Sequence, residues 1–255
     1  MKIIKLVSLM VVFSFIWLLA WCQNSDKVIK IGVIPVPQTE ILNQITDDLA
    51  AEGYSLEIVE YNDYVSPNMD LENGKLDANY FQHKPYLDNF NEKEGTHLVA
   101  VADVNLVPLA IYLGNFLEIQ TGLTIAIPDD PTNRARALLL LQSQSLITLS
   151  SDNPTLDDIV ANPYDITIKE YEASKLPSVL DSVDLAVING NFALQAGLKD
   201  KLAVEDTDSK YANVIAVKEG NENLEKIKVL KKVLLTDEVR EFINGKYDWA
   251  VVAAF

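Results

Sequence analysis

Apolar positions recur along the chain with two alternating periods, and each switch between them marks the passage from a strand to a helix. Val28–Val36 (VIKIGVIPV) reads as a strand ended by Pro35 and Pro37. Thr39–Glu52 then sets Ile41, Leu42, Ile45 and Leu49 on one helical face, and Gly53 is its stop. Leu56–Glu60 is a second strand. Ser66-Pro67 has the form of an N-cap followed by proline at the first helical position, and Gly74 ends that short helix. A strand over Leu76–Phe81, a helix over Pro85–Lys93 and a strand over Leu98–Val104 follow.

From about Gly122 the pattern repeats. It gives strand Leu123–Ile127, Leu-rich helix Pro131–Gln142, strand Ile166–Tyr171, helix Leu176–Ser182, apolar strand Leu185–Ile188, a helical turn at Phe192–Ala196 and strand Val214–Val217. Two amphipathic helices close the chain, Asn223–Leu235 and Asp237–Lys246, the second with Thr236 as its N-cap. Repeated βα units predict an α/β fold with mainly parallel sheets covered on both faces. The apolar stretch Leu106–Leu113 and the strand at Val214 are the candidates for crossings between two lobes. Residues 28–107 with 215–255 then form lobe 1 and residues 108–214 form lobe 2, with the terminal helices packed back on lobe 1.

The first 21 residues stand apart. Lys2 and Lys5 precede an apolar run from Leu6 to Ala20, the form of an export signal and shorter than the ~20 residues of a usual spanning helix. Cys22 is the single cysteine, so no intramolecular disulfide can form. Placed directly after the signal, it resembles the lipid-acceptor cysteine of bacterial lipoproteins. Leu19 and Ala20 fit that pattern and Trp21 does not, which leaves an uncleaved anchor as the alternative. Either way the domain is exported and tethered outside the membrane, with residues 22–27 as a polar tether. The formal charge is −16. Removing Lys2 and Lys5 with the signal makes it −18, which disfavours nucleic acid and anionic lipid as partners of the folded part.

Three turns that follow strands carry unusual chemistry, at the strand ends where open α/β sheets bind ligands. In Asn79–Tyr86 (NYFQHKPY), Phe81, His83 and Tyr86 bring three flat rings together, and Tyr64 can add a fourth. They can wall a slot for an unbranched apolar side chain, or serve as ordinary core. In Ile127–Arg136 (IPDDPTNRAR), Asp130 before Pro131 starts a helix whose first N–H groups favour an anion. Asn133 and Arg136 share one side of that helix, where a guanidinium can grip a carboxylate through two parallel hydrogen bonds; Arg134 points elsewhere, to the surface. In Ala186–Phe192 (AVINGNF), an apolar strand runs into two Asn and a Gly, which suits a zwitterion or an ordinary turn equally well. Asn213 has the same two readings. Catalytic patterns are absent: there is no nucleophile elbow, metal-spaced Cys/His set or glycine-rich phosphate loop, so no cofactor or metal is expected. His97 and the carboxylate pairs Asp47-Asp48 and Asp157-Asp158 read as solvated surface.

With these turns in view, the chain resembles the methionine-binding lipoproteins of ABC importers, the NlpA-type family. The resemblance runs from Lys30 to the C-terminus through GVIPVPQTEIL, GKLDANYFQHKPYLDNFN, TIAIPDDPTNRARALLLLQ, DLAVINGNFALQAGL and YDWAVVAAF. It implies a type II periplasmic-binding-protein-like fold, two βα lobes joined by crossing strands around a ligand cleft. It further implies a methionine side chain held among Tyr64, Phe81, His83 and Tyr86, and its α-carboxylate and amine held by Arg136, Asn133, Asn189 and Asn213. Asn79 and Asn191 are expected in or beside the pocket. Gln38 replaces the His that often follows PVP in the family, which is expected to alter the pocket rim, and Asp129 replaces a common Asn. The implied partners are methionine or a related amino acid, an ABC permease and, through the lipid at Cys22, a membrane; the implied state is monomeric and non-enzymatic. The competing readings are a different amino acid or a methionine-containing dipeptide as ligand, an enzyme using His83 as base, and a surface adhesin on the same fold.

Overall fold

In the computed structural model, which describes residues 27–115, 121–207, 209–247 and 250–255, two mixed β-sheets are each covered by helices on both faces, as the βα pattern predicts. The signal, the tether and Cys22 lie outside the described residues, apart from Lys27. The first sheet is built from β1 (Val28–Val33), β2 (Ser55–Glu60), β3 (Ala78–His83), β4 (Leu98–Leu106), β12 (Asn213–Lys218) and β13 (Val252–Ala253), in the order β13-β4-β12-β3-β1-β2. The second contains β5 (Leu109–Leu113), β6 (Thr124–Pro128), β9 (Thr167–Tyr171), β10 (Leu185–Asn189) and β11 (Lys201–Val204), in the order β11-β5-β10-β6-β9. A small hairpin joins β7 (Thr148–Leu149) to β8 (Ile159–Ala161).

The sheets are less parallel than the βα pattern predicts. Strands β1, β2 and β3 run parallel, as do β6, β9 and β10, while β12 is antiparallel to both β3 and β4, and β5 to both β10 and β11. Two of the reversed strands, β5 and β12, adjoin the crossings; β13 also reverses, antiparallel to β4, after the closing helices. The chain leaves the first sheet at Leu106, enters the second at Leu109, and returns between Val204 and Asn213. A strand that arrives directly from the other sheet, without a covering helix, is free to run against its neighbours. Val214 lies within β12, paired with Asp103 of the first sheet.

Period-2 alternation explains the layering. In β5 and β10, Leu109, Ile111, Leu185 and Val187 face a core with α4 (Pro131–Ser143), while Ala110, Tyr112, Ala186 and Ile188 face a second core with Leu176 of α5 (Leu176–Val179), Leu180 and Phe192. The closing helices α7 (Glu225–Leu234) and α8 (Asp237–Lys246) press Ile227, Leu230, Leu234 and Ile243 onto Ile29, Ile31 and Val33 of β1. Burying each such side chain contributes roughly 1.5–3 kcal/mol. Thr236 caps α8 as expected, accepting from the Val239 N–H at 3.4 Å.

Some local readings need correction. The helix expected over Thr39–Glu52 is broken by a 3-10 turn at Asn43–Ile45, where the Thr46 hydroxyl donates to the Asn43 carbonyl, and it continues as α1 (Thr46–Ala51). The cap of α2 (Ser66–Glu72) is Asp63, which accepts from the N–H groups of Val65 and Ser66, and not Ser66 itself. Strand β3 runs two residues further than expected, because His83 ends the strand and caps α3 (Lys84–Glu94) with its ring. Strands β7, β8, β11 and β13 are too short for a period-2 alternation to mark them as strands in isolation.

Candidate ligand-binding site

Between the two sheets lies a small cavity of about 320 Å³ of atom-free space, its mouth included. Tyr64, Phe81, His83, Tyr86, Asn133, Arg136, Asn189, Asn191 and Asn213 all line it, together with Gln82 and Val107. Asn79 does not. It is buried in an amide network, donating to Asn68 Oδ1 at 2.7 Å and accepting from Gln82 Nε2 at 3.0 Å.

One wall is aromatic. Tyr64 stacks on Phe81 with ring centroids 5.6 Å apart, meets Tyr86 edge-on at 5.7 Å and tilts against Phe192 at 5.0 Å. Phe192 belongs to α6 (Gly190–Gln195) in the opposite lobe, and the Tyr64 hydroxyl also crosses to that lobe, donating to Asn191 Oδ1 at 2.6 Å. Burial pushes the Tyr64 and Tyr86 hydroxyls well above the usual phenol range, so both stay neutral donors. Glycine at 190 lets the Asn189–Asn191 turn lie against the first crossing: a Cβ there would meet the Pro108 carbonyl oxygen and Val107 Cγ1, each at 2.6 Å.

His83 is locked as neutral imidazole. Its Nδ1 accepts from the Tyr86 N–H at 3.1 Å, which leaves the proton on Nε2, 3.2 Å from Asn133 Oδ1. Burial, and then the nearby Arg136 charge, push its pKa down to about 3. With both nitrogens engaged and the cation suppressed, the ring offers packing surface and no acid–base function near neutrality.

The facing wall is polar. Asp130 caps α4, accepting from the Asn133 N–H at 2.9 Å, and its two carboxylate oxygens also accept from Asn133 Nδ2 at 3.1 and 2.9 Å. That orientation turns Asn133 Oδ1 toward His83 and toward Arg136 Nη1, which it meets at 2.9 Å. Arg136 is 4% exposed and pairs side-on with Glu205, Nε to Oε1 at 2.9 Å and Nη2 to Oε2 at 2.6 Å, while the Tyr211 ring lies 4.4 Å from its Cζ. Arg134 lies apart as expected, paired with Glu170 at 2.6 Å. Two buried atoms among the cavity residues have no partner, Asn189 Oδ1 and Asn191 Nδ2. One acceptor and one donor left unsatisfied in a cavity are an opening for a group bearing both. Gln38 is fully buried and does not line the cavity; with its amide turned to satisfy both ends, it donates to the Ile34 carbonyl and accepts from Asn213 Nδ2, each at 3.0 Å. Its effect on the site therefore passes through Asn213.

Beyond Tyr64 and Tyr86 the cavity opens into a wider cleft, about 1250 Å³ of atom-free space with the open solvent at its mouth included, which Asp63, Glu94, Asp129, Asp130 and Glu172 make acidic against one Lys93. Burial and the neighbouring Asp130 hold the Asp129 carboxyl above its usual range. Glu205, Tyr211 and Phe192 were missed by sequence reasoning. Glu205 sits in a polar run (VEDTDSK) with nothing local to single it out, 69 residues from its partner Arg136.

A family model described as NlpA lipoprotein matches residues 29–255. The D-methionine-binding lipoprotein MetQ of Escherichia coli (strain K12) is 41% identical over 250 residues, which cover 92% of each chain. Among solved structures, a nutrient binding protein from Burkholderia cenocepacia bound to methionine is 38% identical, with a TM-score of 0.83 over 89% of this chain and 100% of that one. Lipoprotein Tp32 from Treponema pallidum is 36% identical, with a TM-score of 0.84 over 90% and 100%.

Proposed function

The chain belongs to the NlpA lipoprotein family, and we propose that it is an exported solute-binding lipoprotein that captures methionine between two lobes and delivers it to an ABC importer. The observation that carries the reading is the polarity of the cavity. Rings from Tyr64, Phe81, His83 and Tyr86 form one side, while Arg136 and the unpartnered Asn189 Oδ1 and Asn191 Nδ2 form the other. A thioether gains from aromatic contact, by roughly 0.3–1.5 kcal/mol for each contact. Arg136 takes the α-carboxylate, braced by Asn133, while Asn189, Asn191 and Asn213 divide the remaining donors and acceptors. Asn79 supports β3 from behind.

Lobe 1 comprises residues 28–107 and 215–255 and lobe 2 residues 108–214, a division supported by sheet membership except at Asn213 and Val214, which pair in the first sheet. The Tyr64–Asn191 and His83–Asn133 contacts span the lobes, so entry of a ligand requires them to part, and binding then favours the closed form. The protein acts as a monomer without chemistry, tethered through lipid on Cys22, and its closed form docks on the permease. A methionine-containing dipeptide is the second reading, favoured by the wide acidic cleft adjoining the cavity.

Native mass spectrometry of freshly purified protein identifies any ligand carried through, and calorimetry tests the grip. Arg136→Ala is expected to weaken methionine binding by at least about 100-fold, the scale of a lost bidentate charge-assisted pair, while Arg134→Ala stays near wild type. Equal affinities for the two variants refute the role given to Arg136, and leucine competing as well as methionine makes the slot generic.

A further inference from the structure

The cavity's cation is already tied to another element before any ligand arrives. Glu205 follows directly on β11 and opens the return to the first sheet. Its Oε2 accepts from the Leu109 N–H at 3.0 Å as well as from Arg136 Nη2, and its own N–H donates to the Leu109 carbonyl at 2.9 Å. Leu109 is the first residue of β5, so Glu205 clips both inter-lobe connections together at the point where it holds the arginine. Tyr211, on the same return segment, covers the guanidinium face.

We propose that Glu205 is a positioning residue for ligand recognition: it fixes Arg136 against both crossings so that the arginine's remaining N–H groups face the ligand carboxylate. The proposal rests on the amino-acid reading of the site. A guanidinium has five N–H donors. Nε, Nη1 and Nη2 each give one to Glu205 or Asn133, three in all, which leaves two, one on each Nη. Glu205 takes the side-on edge, Nε and Nη2, so the end-on edge between Nη1 and Nη2, braced at Nη1 by Asn133, is the one turned to the two oxygens of a carboxylate. Glu205 also supplies the counter-charge an empty site needs, because a cation 4% exposed without one is costly to keep in place. A carboxylate is required here: three donors (Nε, Nη2 and the Leu109 N–H) converge on its two oxygens, and an amide would turn an NH₂ group toward at least one of them.

The test compares methionine with its α-amide, which lacks the carboxylate, in wild type and Glu205→Gln by calorimetry. The variant is expected to lose about 10- to 100-fold in methionine affinity, the range for hydrogen bonds to charged groups, while binding the amide within about 2-fold of wild type. Retained amide binding also reports that the pocket is folded. Equal weakening toward both ligands makes Glu205 a general structural residue and overturns the proposal, as does unchanged or tighter methionine binding, which makes Glu205 a bystander or a competitor. A wild-type protein that binds neither ligand instead removes the methionine reading, and this inference with it.

Discussion

His83 offers a direct thermodynamic test of the closed cavity. A free imidazole takes up its proton near pH 6.5, while in the folded protein burial and Arg136 hold that pKa at about 3. Above pH 6.5 neither state binds the proton and His83 adds no pH dependence. As pH falls below 6.5 the unfolded chain gains a proton that the native site refuses, so stability declines by up to about 1.4 kcal/mol per pH unit until pH approaches 3. Between pH 6.5 and 5.0 that amounts to about 2 kcal/mol, before most carboxylates begin to titrate. His83→Asn is the matched control. Its side-chain oxygen can accept the Tyr86 N–H as Nδ1 does, and it cannot titrate. Urea unfolding of ligand-free protein at several pH values from 7.5 to 5.0 is the assay. The variant is less stable at every pH because a ring is lost from the wall, and its curve is expected to be flatter than wild type by that ~2 kcal/mol. The exposed His97 is common to both chains and cancels. Parallel curves for the two proteins refute the reasoning, since they mean that the imidazole titrates alike folded and unfolded.

Gly190→Ala forces a Cβ onto the Pro108 carbonyl and is expected to cost about 1–3 kcal/mol and to weaken ligand binding, read by thermal melting and calorimetry; a wild-type melt sinks the close-approach argument. Cells grown with labelled palmitate are expected to label the wild-type protein and not Cys22→Ala. A wild-type protein that takes up no label indicates an uncleaved anchor of residues 1–21 in place of the lipid.

Periodicity and punctuation determined most of the elements and nearly all of the cavity's residue types. Asp130-Pro131 announced the helix that carries Asn133 and Arg136, and AVINGN announced the turn that carries Asn189 and Asn191, because caps and turns are written in contiguous residues. Resemblance across whole motifs supplied the ligand class, which no local pattern contains. Only the tertiary structure decided the rest. Asn79 turned away into an amide network, Gln38 went beneath Asn213, and Glu205 became the partner of Arg136, since each outcome depends on which buried donors and acceptors meet across long sequence separations. The antiparallel strands beside the crossings follow the same logic: a strand's direction is fixed by the neighbour it finds in the sheet, and strand sequences such as NVIAVK carry no mark of it.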